Sequence, residues 1–102
     1  RVLGMTEYSQ LKMRGFPFQS VAASFCAKEA FSKAIGTGIR GFSLSEVELL
    51  RSISGNPILK LSGNALKIAQ VRKINFAVSV THTRLYAAVI VIGEEAIQNE
   101  GT

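Results

Sequence analysis

The chain has 102 residues, is 47% hydrophobic and carries a net charge of +5 from 12 Lys and Arg against 7 acids. This describes one domain large enough for a real core, with a basic balance that favours acidic partners such as a phosphorylated cofactor, an acidic protein or nucleic acid. All seven acids are Glu, which excludes an Asp-rich metal site and any Ser-His-Asp triad; the single Cys excludes an internal disulfide, and the single His excludes a His-rich zinc site.

No basic block exceeds the Arg72-Lys73 pair, and the aromatics sit mainly at core-like positions. Neither a nucleic-acid arm nor a base-stacking platform is supported. No apolar run reaches transmembrane length, and no signal peptide is expected.

Thr6 is a candidate cap for a short helix running to about Arg14, and Gly15-Phe16-Pro17 stops it. Gln19 or Ser20 opens a longer helix. Its apolar stripe reads Val21, Ala22, Phe25, Cys26, Ala30, Phe31, Ala34 and Ile35, and Gly36 is a natural left-handed cap. Residues 39–45 read as a loop. Glu46 to Arg51 reads as a strand, though Ser43 and Glu46 also fit a capping box. Ser54-Gly55-Asn56-Pro57 is a tight turn into a second strand, Ile58 to Leu61, so the two form a hairpin. A helix from about Ala65 to Val71 follows, then a strand through Phe76, Val78 and Val80. Thr81 to Arg84 turns the chain into the nearly unbroken apolar run Leu85 to Ile92.

Helix, long helix, hairpin, helix, hairpin is an α+β order, with the long helix packed on a small antiparallel sheet. The last strand has no polar face, so both its sides need cover, and burial in an oligomer would supply it. Residues 1–93 read as a single domain and 94–102 as a polar tail.

Three places carry candidate chemistry. Glu29 and Lys33 are four apart, on one helix face next to Lys28. They form either an ordinary helix ion pair or a face that meets a metal and a phosphate together. Thr81-His82-Thr83 is either a water-facing turn or a phosphate clamp of imidazole and hydroxyl donors. Gly55-Asn56-Pro57 is either a plain hairpin turn or one whose backbone amides face a ligand.

These places occur together, in order, in one family. Phe25 to Lys33, its continuation to Phe42, Gly55-Asn56-Pro57, Leu61 to Ala65, Val78 to Thr83 and Tyr86-Ala87 resemble the holo-acyl-carrier-protein synthases, a branch of the 4'-phosphopantetheinyl transferases. The resemblance runs from Arg1 to about Val91, and Lys-Glu-Ala-x-x-Lys is its central motif.

The resemblance implies the 4'-phosphopantetheinyl transferase fold and an enzyme. A serine of the apo acyl carrier protein attacks the β-phosphate of coenzyme A, takes the phosphopantetheine arm and releases 3',5'-adenosine bisphosphate. It also implies Mg2+, with Glu29 as a ligand. Lys33 would contact the phosphates and assist proton transfer. Lys28, Thr81, His82 and Thr83 would join coenzyme A binding, His82 and Thr83 at its 3'-phosphate end. Gly55, Asn56 and Pro57 would border the adenine. A homotrimer with active sites between subunits is implied, as is a place in cytoplasmic (or plastid-type) fatty acid biosynthesis, with no nucleic-acid or membrane partner.

There are departures. The family's Gly-x-Asp strand, whose Asp is a second metal ligand, and its basic carrier-docking helix would precede Arg1. On this reading the domain is N-terminally incomplete, and the 102 residues alone are expected to turn over little. Ser24 stands where the family has a phosphate-contacting Arg, and Cys26 where Ala is common. These departures keep a non-catalytic coenzyme A or carrier-protein binding module as the alternative, with an assembly-only subunit behind it.

Overall fold

The computed structural model describes residues 2–38, 40–82 and 87–95. Helix α1 (Met5–Met13) and helix α2 (Phe18–Ile35) lead through a single 3-10 turn, Leu44–Glu46, into strand β1 (Val47–Arg51). Strand β2 (Pro57–Leu61), helix α3 (Gly63–Arg72), strand β3 (Ile74–His82) and strand β4 (Ala87–Glu95) follow. β1 pairs antiparallel with β2, and β3 with β4, from Ile74 opposite Glu95 to His82 opposite Ala87. The element order is the one read from the sequence. Thr81 and His82 lie in β3 rather than in a turn, and Glu94 and Glu95 extend β4 rather than beginning the tail.

The core joins α2 to the first hairpin and α3. Phe31, Ile35, Phe42, Val47 and Ala65 are buried together. The Phe31 ring meets Phe42 edge-on at 5.3 Å and Phe76 at 4.9 Å. At the end of α2, Gly36 adopts φ 76° and Arg72 donates to the Ile35 carbonyl at 2.7 Å. A cation thereby meets the negative end of the helix.

The buried face of α2 is not the expected stripe. It consists of Ala23, Ser24, Ala27, Lys28, Phe31, Ser32 and Ile35, while Phe25 is 48% exposed. Polar residues can hold a buried face only if each finds a partner. Lys28 finds Glu7, at 2.7 Å, and the Val47 carbonyl. Ser32 finds the Glu29 carbonyl. Partner supply outweighs side-chain hydropathy here.

The start of α1 has a related cause. Its cap residue is Gly4, not Thr6. The Glu48 carboxylate reaches in from β1 and accepts the Glu7 N–H at 2.8 Å. The Glu7 carboxylate accepts the Gly4 N–H at 3.2 Å. A Cβ on residue 4 would overlap the Glu48 carboxyl, so the long-range cap needs glycine there. Helix α2 likewise starts earlier than expected, at Phe18 behind Pro17, whose carbonyl accepts the Val21 N–H. Helix α3 starts at Gly63, also ahead of the expected Ala65.

Glu46 serves two elements. Its carboxylate accepts the N–H of Ser43 at 3.0 Å and of Ala65 at 3.3 Å. These bonds, Ser43 first, hold its pKa below the ordinary carboxylate value against an opposing effect of burial. Gly63, at φ 52°, leaves the carboxylate room. A depressed folded-state pKa adds stability above the unfolded-state value and loses it as pH falls through the folded-state value. Glu46→Gln is therefore expected to lower the urea midpoint at about pH 7, with the deficit shrinking toward about pH 3. An equal deficit at both pH values would contradict this.

Strand β4 alternates against α2. Ala87, Val89 and Val91 are half-buried, whereas Ile90 and Ile92 on the other face are each 60% exposed. The cover that the sequence demands for the second face is not supplied by the described residues of one chain.

Candidate functional site

Glu29 and Lys33 are both exposed on α2. They do not pair. Among the described residues the single ion pair is Lys28–Glu7, and no protein group bonds the Glu29 carboxylate. One turn of helix thus presents a free carboxylate and a free ammonium side by side. The ordinary helix pair, one of the two readings of this motif, is not formed.

Lys28 points the other way. It is 1% exposed, and its ammonium bonds the Glu7 carboxylate and the Val47 carbonyl. Glu7 also accepts the Leu49 N–H at 2.9 Å. In this chain Lys28 joins α1, α2 and β1 from within, and it faces no ligand space. Its burial and its two protein partners lend no support to the expectation that it contacts coenzyme A. A lysine left unpaired in this interior would cost several kcal/mol (roughly).

A cleft of about 220 Å3 opens between α1, α2, the first hairpin and β3. Ser24, Gly55, Pro57 and Val80 line it together with Arg14 and Arg51. Partial burial, then the charge of Arg51, lowers the Arg14 pKa. Neither arginine has a carboxylate partner among the described residues. Two cations set close without a counter-charge suit an anion, and a guanidinium suits phosphate above all. Sequence reasoning did not find this pair. Arg14 reads as the end of a helix and Arg51 as the end of a strand, 37 positions apart. Only the closeness of Arg51 to the Gly55 turn hinted at it.

The turn itself behaves differently from one of the two sequence readings. Its amides do not face outward: the Gly55 N–H bonds the Ser52 carbonyl at 2.9 Å and the Asn56 N–H bonds the Ser52 hydroxyl at 3.2 Å. The Asn56 side chain adds a bond to the Ser54 hydroxyl. The turn closes on itself, so Gly55 and Pro57 contribute shape to the cleft and not free donors. Thr81 is exposed on β3, one residue beyond the cleft-lining Val80. The expectations for Thr83 and for the imidazole of His82 lie outside the described residues.

One chain does not bring the two charged regions together. With 3.6 residues per turn, Glu29 lies about 140° and Lys33 about 180° around α2 from the cleft-lining Ser24. No group of three His, Cys or Glu side chains gathers among the described residues. The donor set therefore does not form a closed metal cage. It fits a hard ion such as Mg2+ that takes a single carboxylate and completes its shell with water and phosphate oxygens. Among the described residues no helix is long and apolar enough to cross a membrane.

Comparison with known proteins points in one direction. Residues 1–90 match the family model described as 4'-phosphopantetheinyl transferase superfamily. The holo-[acyl-carrier-protein] synthase of Clostridium beijerinckii is 44% identical over 77 residues, covering 76% of this chain and 63% of its own length. The chain thus spans less than two thirds of that relative. The synthase of Clostridium botulinum strain Eklund 17B is 36% identical over 94 residues, covering 92% of this chain and 76% of its own. Among solved structures, the Neisseria meningitidis synthase superposes with a TM-score of 0.84 at 29% identity, over 93% of this chain and 78% of that one. The Bacillus anthracis synthase in complex with CoA (3',5'-ADP) gives 0.75 at 31% identity, over 94% and 78%.

Proposed function

This chain belongs to the 4'-phosphopantetheinyl transferase superfamily, among the holo-[acyl-carrier-protein] synthases, and we propose that it serves their reaction. The 4'-phosphopantetheine arm of coenzyme A passes to a serine of an apo acyl carrier protein, and 3',5'-adenosine bisphosphate leaves. The observation that carries this reading is the unpaired Glu29–Lys33 face, in the motif where the family places its chemistry.

Glu29 is free to hold a hard cation, and Lys33, a turn away, is free to meet phosphate oxygens. A magnesium ion bound there would neutralise charge on the pyrophosphate. The serine hydroxyl gives its proton up to solvent, its oxygen forms a bond to the β-phosphorus as the bond to the bridging oxygen breaks, and the electron pair leaves with the adenosine bisphosphate. The Lys33 ammonium lies against the charge that builds on the leaving phosphate. Arg14 and Arg51 offer the cleft at Ser24 the guanidinium charge that a serine cannot, so the cleft takes phosphate of the same coenzyme A.

Glu29 and Lys33 lie across α2 from that cleft, and the Ile90–Ile92 face of β4 is open. Both features favour a homotrimer in which the cleft of one subunit faces the Glu29 side of another. On this reading the protein would serve fatty acid biosynthesis in the cytoplasm (or a plastid-type organelle). The binding-module alternative draws on the absence of Asp from these 102 residues and on Ser24 in place of the family's phosphate-contacting Arg. Calorimetry on the full-length gene product separates the two. The synthase reading expects Mg2+ to tighten coenzyme A binding; affinity indifferent to Mg2+, with no turnover, would favour the module.

A further inference from the structure

The spacing of Arg14 and Arg51 is set by a third residue. Gln10 lies one turn before Arg14, on α1. Its side-chain oxygen accepts the Arg51 backbone N–H at 2.8 Å, and its side-chain amide donates to the Arg51 carbonyl at 3.0 Å. Arg51 stands opposite Pro57, one residue before the pair in which the Ser52 N–H bonds the Asn56 carbonyl. Bonded and non-bonded pairs alternate along an antiparallel ladder, so both backbone groups of Arg51 turn to the outer edge of β1. There the Gln10 amide takes the place of a neighbouring strand.

The same edge is covered further in by other side chains. Leu49 N–H goes to Glu7 and the Val47 carbonyl goes to Lys28. Glu7 and Leu11 are 0% and 2% exposed and dock α1 independently. Gln10 forms its bonds at the exposed end of the strand, where they add little to docking. They do fix the residue that carries one guanidinium against the helix that carries the other.

We propose that Gln10 is the positioning residue of the two-arginine cleft, holding Arg14 and Arg51 at the separation that receives a phosphorylated ligand. This rests on the reading above that the cleft takes phosphate of coenzyme A. The test is calorimetric titration of coenzyme A into the full-length protein and its variants, with melting temperatures alongside. Gln10→Ala and Gln10→Met, the second keeping length without hydrogen bonds, are each expected to weaken binding about fivefold. In an Arg51→Gln background the same changes should add less than about twofold, because the group being positioned is gone. Melting temperatures of the Gln10 variants should stay within about 3 °C of the parent.

Unchanged affinity in both Gln10 variants would overturn the proposal while leaving the cleft reading intact, provided Arg51→Gln still weakens binding. An equal Gln10 effect with and without Arg51 would also overturn it, since Gln10 would then act independently. Unfolding of both variants would refute the claim that Glu7 and Leu11 suffice to dock α1. If neither Arg14→Gln nor Arg51→Gln alters coenzyme A affinity, the cleft reading itself falls.

Discussion

Glu29→Gln in the full-length protein is expected to lower Mg2+-dependent modification of the carrier protein by about a hundredfold or more while leaving the melting temperature unchanged. The two halves of this expectation have separate causes. The Glu29 carboxylate is exposed and bonds no other group of the described residues, so folding does not depend on its charge. A hard cation does depend on it, because an amide oxygen carries no net charge. Initial rates measured across a magnesium series, with a thermal melt of each protein, check both halves. Retained activity would make Glu29 an ordinary surface residue of α2.

Lys28→Met, next to it, is expected to do the reverse. It should destabilise the fold by about 3–5 kcal/mol, because it leaves the Glu7 carboxylate buried without its counter-charge. That is a large part of a typical margin of about 5–15 kcal/mol. The double variant Lys28→Met/Glu7→Gln should recover part of the loss, since it removes the orphaned charge. Urea unfolding measures each. A single variant as stable as the parent would show that the pair does not hold α1 to α2.

These two neighbours show what the sequence can and cannot tell. Every helix and strand was legible in order, because caps, turns and runs of matching periodicity mark them: the left-handed Gly36, the turn at Gly55 and the Ser43–Glu46 box all sit where they were read, with Pro57 opening β2 rather than closing the turn. The exposed face of Glu29 and Lys33 was legible from their four-residue spacing. The burial of Lys28 was not, because its partners Glu7 and Val47 are distant in sequence and helical periodicity treats lysine as a surface residue. The Glu48 cap of α1 escaped for the same reason: local cap rules point to Thr6, whereas the acceptor comes from 41 residues away. The Arg14–Arg51 cleft has no motif at all. It exists only once α1 lies along the edge of β1, and the residue that fixes it there, Gln10, looks like any solvent-facing glutamine.

The most direct test of the transferase reading is the intact mass of an apo acyl carrier protein incubated with the full-length gene product, coenzyme A and Mg2+. The account predicts a gain of one phosphopantetheine group, dependent on Glu29, with release of 3',5'-adenosine bisphosphate. Unmodified carrier protein in the presence of a folded protein that binds coenzyme A would contradict it.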